Sequence, residues 1–280
     1  MANIWHALAD EAGIAVEHLA IGVTAIGKAN YAKQAYYAQA FFALSVGFER
    51  SAKLALIIDH ALMHNGEFPS FQEVKDWGHG LKNLLQKVDD LSIRRAIGKQ
   101  LKRNEIWARL PQTQIHKNMI DVLDEFATNI TRYYNIDFVT GLTRAQSIDS
   151  PSAAWYNLVT SEILKTHYSG KQRNRDEQTA TLFVEPFGSL AYIMSFSEHG
   201  DEITAKQAAI ALAHSKFAAP FARLYLLQIM RFLTMVMNDL NHQAYKDQNE
   251  NIPDLGDFYG MFNNKDKYLK RWKTWSLYDK

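Results

Sequence analysis

Glu49 and Lys53 stand four residues apart in Gly47-Phe48-Glu49-Arg50-Ser51-Ala52-Lys53, a charged interruption in an otherwise apolar helical run. In that order an acid and a base can pair on one helix face, for about 0.3–0.5 kcal/mol when exposed. Some thirty residues later, Trp77-Gly78-His79-Gly80-Leu81 places an imidazole at the start of an amphipathic helix. A second imidazole, His116, follows Arg109 with six residues between them, in Arg109-Leu-Pro-Gln-Thr-Gln-Ile-His116. Arginine can neutralise charge on a phosphate and histidine can move a proton near neutral pH.

Other residues suit binding. Arg94, Arg95, Lys99, Lys102 and Arg103 lie in a charged span over 92–109, with Trp107 as a stacking surface. Such a span can track a phosphate backbone; it also reads as a solvated helix face, diluted by Asp89, Asp90 and Glu105. Asp59, His60 and His64 carry the spacing by which two imidazoles share one ion, but no third ligand follows, and an ordinary helix end explains them. No metal and no cofactor is expected. Arg223, Gln228, Arg231, Thr234 and Asn238 fall within about 140° of one helix face. That stripe reads as the exposed side of a mostly buried helix, or as a ligand-sensing cleft. Glycine-rich phosphate loops and nucleophile elbows do not occur.

The elements that must hold these residues read as helices. Fourteen glycines and six prolines punctuate 280 residues, and the apolar spacing follows a helical period almost throughout, so the fold class is all-α. No element is assigned before residue 31. A long helix spans 31–64 and stops at Gly66 and Pro69. Ser70 and Glu73 form a capping-box pair ahead of a short helix over 74–77, and a further helix covers 81–88. Helices follow over 113–134, 153–165 behind the Ser150-Pro151 cap, 180–196 with a break near Pro186, 204–215 and 220–245. Residues 181–185 are the one strand candidate, 169–178 reads as a mobile polar loop, and 249–280 as an aromatic and basic clasp.

Composition narrows the function classes. Thirty-one Lys and Arg against thirty Asp and Glu leave a net charge of +1, so no global field draws the chain to polyanions. Zero cysteines exclude disulfides, thiolate metal sites and a thiol nucleophile. The first residues lack the basic-then-apolar order of a signal peptide, and the apolar run 217–237 is interrupted by Arg223, Gln228 and Arg231, so a cytoplasmic, non-membrane protein is expected.

Glu49, Lys53, His79, Gly80 and Leu81 together resemble the HEPN superfamily, whose members carry Glu and Lys in a long apolar helix and then a short His-Asp-Leu or His-Gly-Leu helix. Arg132, in Thr131-Arg132-Tyr133-Tyr134, matches a third element and joins the nucleic-acid-binding candidates. The resemblance covers about residues 30–135. It implies an antiparallel helical bundle over 1–135, with 136–280 as a helical extension, and a homodimer formed around the Glu49, Lys53 and His79 elements. It also implies a setting in prokaryotic antiviral defence, toxin–antitoxin or RNA-processing systems, with RNA or a regulatory protein as partner. Active members cleave RNA without metal, using an Arg, a polar residue and a His four to six residues on. Here Leu110 replaces the polar residue and Pro111 interrupts the helix. The expected function is therefore a non-catalytic RNA- or nucleotide-associated module, or a protein-interaction module, in which Glu49, Lys53 and His79 form a buried polar network that fixes helix packing, with an endoribonuclease using Arg109 and His116 as the alternative.

Overall fold

A computed structural model describes residues 3–98, 105–128, 133–184 and 195–277. The fold is all-α. Helix α1 (Ile4–Ile26) and helix α2 (Ala35–Met63) form the first hairpin. They cross at two reciprocal notches: a Cβ on Gly47 would lie 2.9 Å from the Leu19 backbone nitrogen, and one on Gly22 3.0 Å from that of Leu44. Only hydrogen on those α-carbons lets the backbones approach so closely. Leu19, Phe41, Leu44, Phe48 and Ile58 fill the interface and are fully buried.

Helix α3 (Phe71–Asp76) starts from Ser70 with the expected capping box, the Ser70 N–H donating to Glu73 Oε2 at 2.7 Å and the Glu73 N–H to Ser70 Oγ at 3.3 Å. Helix α4 (Leu81–Arg94) has no capping side chain of its own. Asp124 of helix α5 (Gln114–Thr128) supplies it, accepting the Lys82 N–H at 3.2 Å. Both α4 and α5 pack on α2. Helix α6 (Tyr134–Val139) and the short α7 (Thr143–Gln146) follow. Helix α8 (Pro151–Trp155) begins at the Ser150 cap, and a π-helical turn (Tyr156–Thr160) joins it to α9 (Ser161–His167).

Three expectations change. Residues 169–178 are not a loop but the first part of helix α10 (Gly170–Val184), because Lys, Gln, Arg and Glu favour helix and Arg173 pairs with Glu177 at 2.7 Å, four residues on. The strand candidate at 181–185 is helical as far as Val184, while the short antiparallel pair β1 (Ser195–Phe196) and β2 (Glu202–Ile203) comes later. The expected helices over 204–215 and 220–245 are one 42-residue helix, α11 (Ala205–Lys246), capped by Thr204 and Gln207 and carrying Pro220 inside. At 1.5 Å per residue it extends about 63 Å. Its stretch 222–237 is buried almost all round, and the helix packs on α1, α2 and α5. The last elements, α12 (Gly256–Tyr259) and α13 (Asp266–Arg271), lie along α11. Beyond them Trp275 is buried, its backbone N–H donating to Thr24 Oγ1 of α1 at 2.8 Å. No helix among the described residues is long and apolar enough to cross a membrane.

Candidate functional site

Glu49, on α2, gathers the trio that spacing singled out. Its Oε1 accepts from Lys53 Nζ at 2.9 Å and from His79 Nδ1 at 2.7 Å, so α2 is tied to the turn that enters α4. Gly78, with φ of +75°, bends that turn so that His79 faces α2. The trio is not the buried network expected: Glu49 and Lys53 are 22% and 18% exposed, but His79 is 72% exposed. One edge of the arrangement therefore faces solvent.

Arg109 and His116 are each bound to something else. Nε and Nη2 of Arg109 donate to the two oxygens of Asp89 at 2.9 and 2.8 Å, and the Leu110 N–H donates to the same carboxylate at 2.8 Å. Burial pushes the Asp89 carboxyl up, but these three bonds and the nearby charge outweigh it and hold it below its ordinary value. His116 is 2% exposed. Thr113 Oγ1 donates to its Nδ1 at 2.7 Å, and its Nε2 donates to Gln228 Oε1 at 2.9 Å. Burial lowers its pKa to about 4 and keeps the ring neutral, although the Gln228 bond and the Asp266 charge act the other way. An imidazole enclosed and neutral at pH 7 is poorly placed to exchange protons with a phosphodiester, and an arginine held by a bidentate carboxylate has little left for a phosphate.

The network extends from His116 into the second half of α11. Gln228 Nε2 donates to Asp266 Oδ2 at 2.8 Å, and Arg231 Nη1 donates to Asp266 Oδ1 at 2.7 Å and to the Asn264 carbonyl at 2.9 Å. The Arg231 guanidinium lies 4.0 Å from the centre of the Trp107 ring, a cation–π contact on the aromatic face that a nucleobase would need. The expected exposed stripe is thus corrected. Arg223, Arg231 and Thr234 are buried and Gln228 and Asn238 half-buried, because the end of α1 lies against Arg223, α12 against Thr234 and Asn238, and the α13 segment against Gln228 and Arg231. The ligand-sensing reading of the Arg223 and Arg231 face loses its open surface.

The described part of the basic span is paired in the same way. Arg94 and Arg95 both donate to the buried carboxylate of Asp59, and Lys82 Nζ pairs with Asp121 at 2.7 Å. Lys99, Lys102, Arg103 and Arg132 lie outside the described residues. The His60 and His64 rings stack at 3.9 Å, with His64 Nδ1 donating to the His60 carbonyl at 2.8 Å, as at a helix end. Among the described residues no group of three His, Asp or Glu is placed to hold a metal ion.

The sequence reading missed Asp89, Thr113 and Asp266, the acceptors and donors that capture the nominated residues. Little in their spacing marks them, since Asp89 acts 20 residues from Arg109, Thr113 3 residues from His116, and Asp266 35 and 38 residues from Arg231 and Gln228. Comparison with known proteins finds no matching family model, no matching curated protein and no matching solved structure.

Proposed function

We propose that this chain is a non-catalytic helical module of the HEPN type, one that associates through its surfaces rather than transforming a substrate. The observation that supports the reading is the meeting of Glu49, Lys53 and His79 at a single carboxylate oxygen, although His79 is 30 residues distant in sequence. These are the positions on which the resemblance rests, and His79 keeps an exposed face for a partner. A second copy of the chain fits that role best, because the resemblance places a homodimer contact at these helices. The absence of catalysis in this reading follows from the enclosure of His116 and the pairing of Arg109 with Asp89.

The test combines two measurements on the purified chain. Incubated with total RNA and a tRNA pool in EDTA, it leaves the RNA intact on a denaturing gel. In light scattering after size exclusion it has twice the 32.0 kDa mass of one chain, and His79→Ala shifts it toward the monomer. RNA cleavage by the wild type that disappears in folded His116→Gln would overturn the non-catalytic reading. A monomer at all concentrations would overturn the dimer contact.

A further inference from the structure

Away from the Glu49 trio, the tip of the β1–β2 hairpin carries Glu198 into the protein. Glu198 is 4% exposed, yet no Lys or Arg among the described residues forms an ion pair with it. Its carboxylate accepts from the Tyr37 hydroxyl at 3.5 Å, and the nearby backbone amides of Tyr31 and of Glu198 itself favour its charged form. Burial pushes the Glu198 carboxyl above its ordinary value, and the hydroxyls of Tyr37, Tyr156 and Tyr31 are raised as well, first by burial and then by the charge of Glu198. A desolvated carboxylate supported by one neutral hydroxyl and backbone amides, with only the neighbouring His199 imidazole as a source of positive charge, lacks the Lys or Arg partner that buried acids ordinarily keep.

Glu198 lines a cavity of about 830 Å³ between the start of α2, the end of α5, α6, the start of α8 and the hairpin tip. That volume lies within the range of small-molecule sites. Aromatic side chains make much of the wall: Tyr37, Phe126, Tyr133, Tyr134 and Phe138. Asp149 adds a second carboxylate, and the described lining contains no Lys or Arg. Aromatic faces present the negative side of their quadrupole, and with a carboxylate they form the surroundings that favour a poorly hydrated cation. Among the described residues an anion would meet two carboxylates, with only the His199 imidazole to offer positive charge. A neutral ligand would leave Glu198 uncompensated.

We propose that this cavity binds an organic ammonium cation, with Glu198 opposite the charged nitrogen and the ring of aromatic side chains around its apolar body. The site stands independently of the HEPN-type reading, because it shares no residue with Glu49, Lys53 or His79.

The probe is benzyltrimethylammonium chloride, with benzyl alcohol and sodium benzenesulfonate as the neutral and anionic counterparts, titrated calorimetrically into the full chain. The cation binds with a dissociation constant below about 1 mM, and the two counterparts bind at least about tenfold more weakly. Glu198→Gln keeps an oxygen for the Tyr37 hydroxyl but removes the charge, and weakens the cation by about tenfold. Phe138→Ala, at a position 47% exposed and so safe for folding, weakens it by about threefold. No heat from the cation up to about 10 mM, equal binding of benzenesulfonate, or unchanged cation affinity in folded Phe138→Ala overturns the proposal.

Discussion

Arg109 grips Asp89 through both carboxylate oxygens, at 2.9 and 2.8 Å, across 20 residues of chain. The Asp89 side chain is 4% exposed and that of Arg109 55% exposed, so the pair has a buried acid and a half-solvated base. Removing the two partners therefore has unequal effects. Asp89→Ala strips three hydrogen bonds from the turn into α5 and is expected to cost about 3 kcal/mol in urea unfolding. Arg109→Ala leaves the carboxylate its Leu110 N–H and access to water, and costs about 2 kcal/mol. Equal and negligible losses would show that the pair is a surface ornament.

Gly47→Ala tests the notch between α1 and α2. Its methyl would stand 2.8 Å from Leu19 Cγ and 2.9 Å from the Leu19 nitrogen, and a backbone atom cannot swing aside. The helices must separate, at about 1–3 kcal/mol, even though alanine favours helix over glycine by about 1 kcal/mol. A stabilised Gly47→Ala protein, by urea midpoint, would contradict the close crossing.

Arg223 is 5% exposed, with its Nε buried and unbonded, and burial alone lowers its pKa. Its guanidinium covers Gly27, where a Cβ would come 2.3 Å from Nη1. Arg223→Met keeps the apolar stem and removes a desolvated charge. Unfolding free energy should stay the same or rise by about 1 kcal/mol, whereas a loss above about 2 kcal/mol would reveal a counter-charge.

Stability should also depend on pH through His116. Its ring titrates at about 4 in the fold and at the ordinary 6.5 when unfolded. Between those values the unfolded chain binds more protons, so stability is full above 6.5 and falls as the pH drops toward 4. At 1.36 kcal/mol per pH unit the whole span is about 3 kcal/mol. Urea midpoints for the wild type and His116→Gln should therefore converge between pH 7 and about 4.5. A constant gap between them would contradict the depressed pKa.

Much of the scaffold was legible. Ser70 with Glu73, and Ser150 before Pro151, are local signals and carry their caps as read. Helix α1 escaped because Ala12, Gly13, Ala15, Ala20 and Gly22 blur its amphipathic contrast, although they are what lets it pack so near α2. Pro220 suggested a boundary, but α11 continues through it. The site residues divide in the same manner. The Glu49–Lys53 pair is a four-residue relationship and could be read directly. The capture of Arg109 by Asp89, of Trp107 by Arg231 and of Arg94 and Arg95 by Asp59 is tertiary, and no periodicity in the chain announces it.

The account rests on the residues best suited to catalysis being held inside the scaffold, and His116 tests it most directly. In protein labelled at histidine, the imidazole carbon resonances can be followed by NMR from pH 4 to 8 and assigned with His116→Gln. The His116 ring should stay neutral through the physiological range and reach its midpoint near pH 4. A midpoint near the ordinary 6.5 would show an imidazole open to proton exchange, and would contradict the reading of this chain as a non-catalytic module.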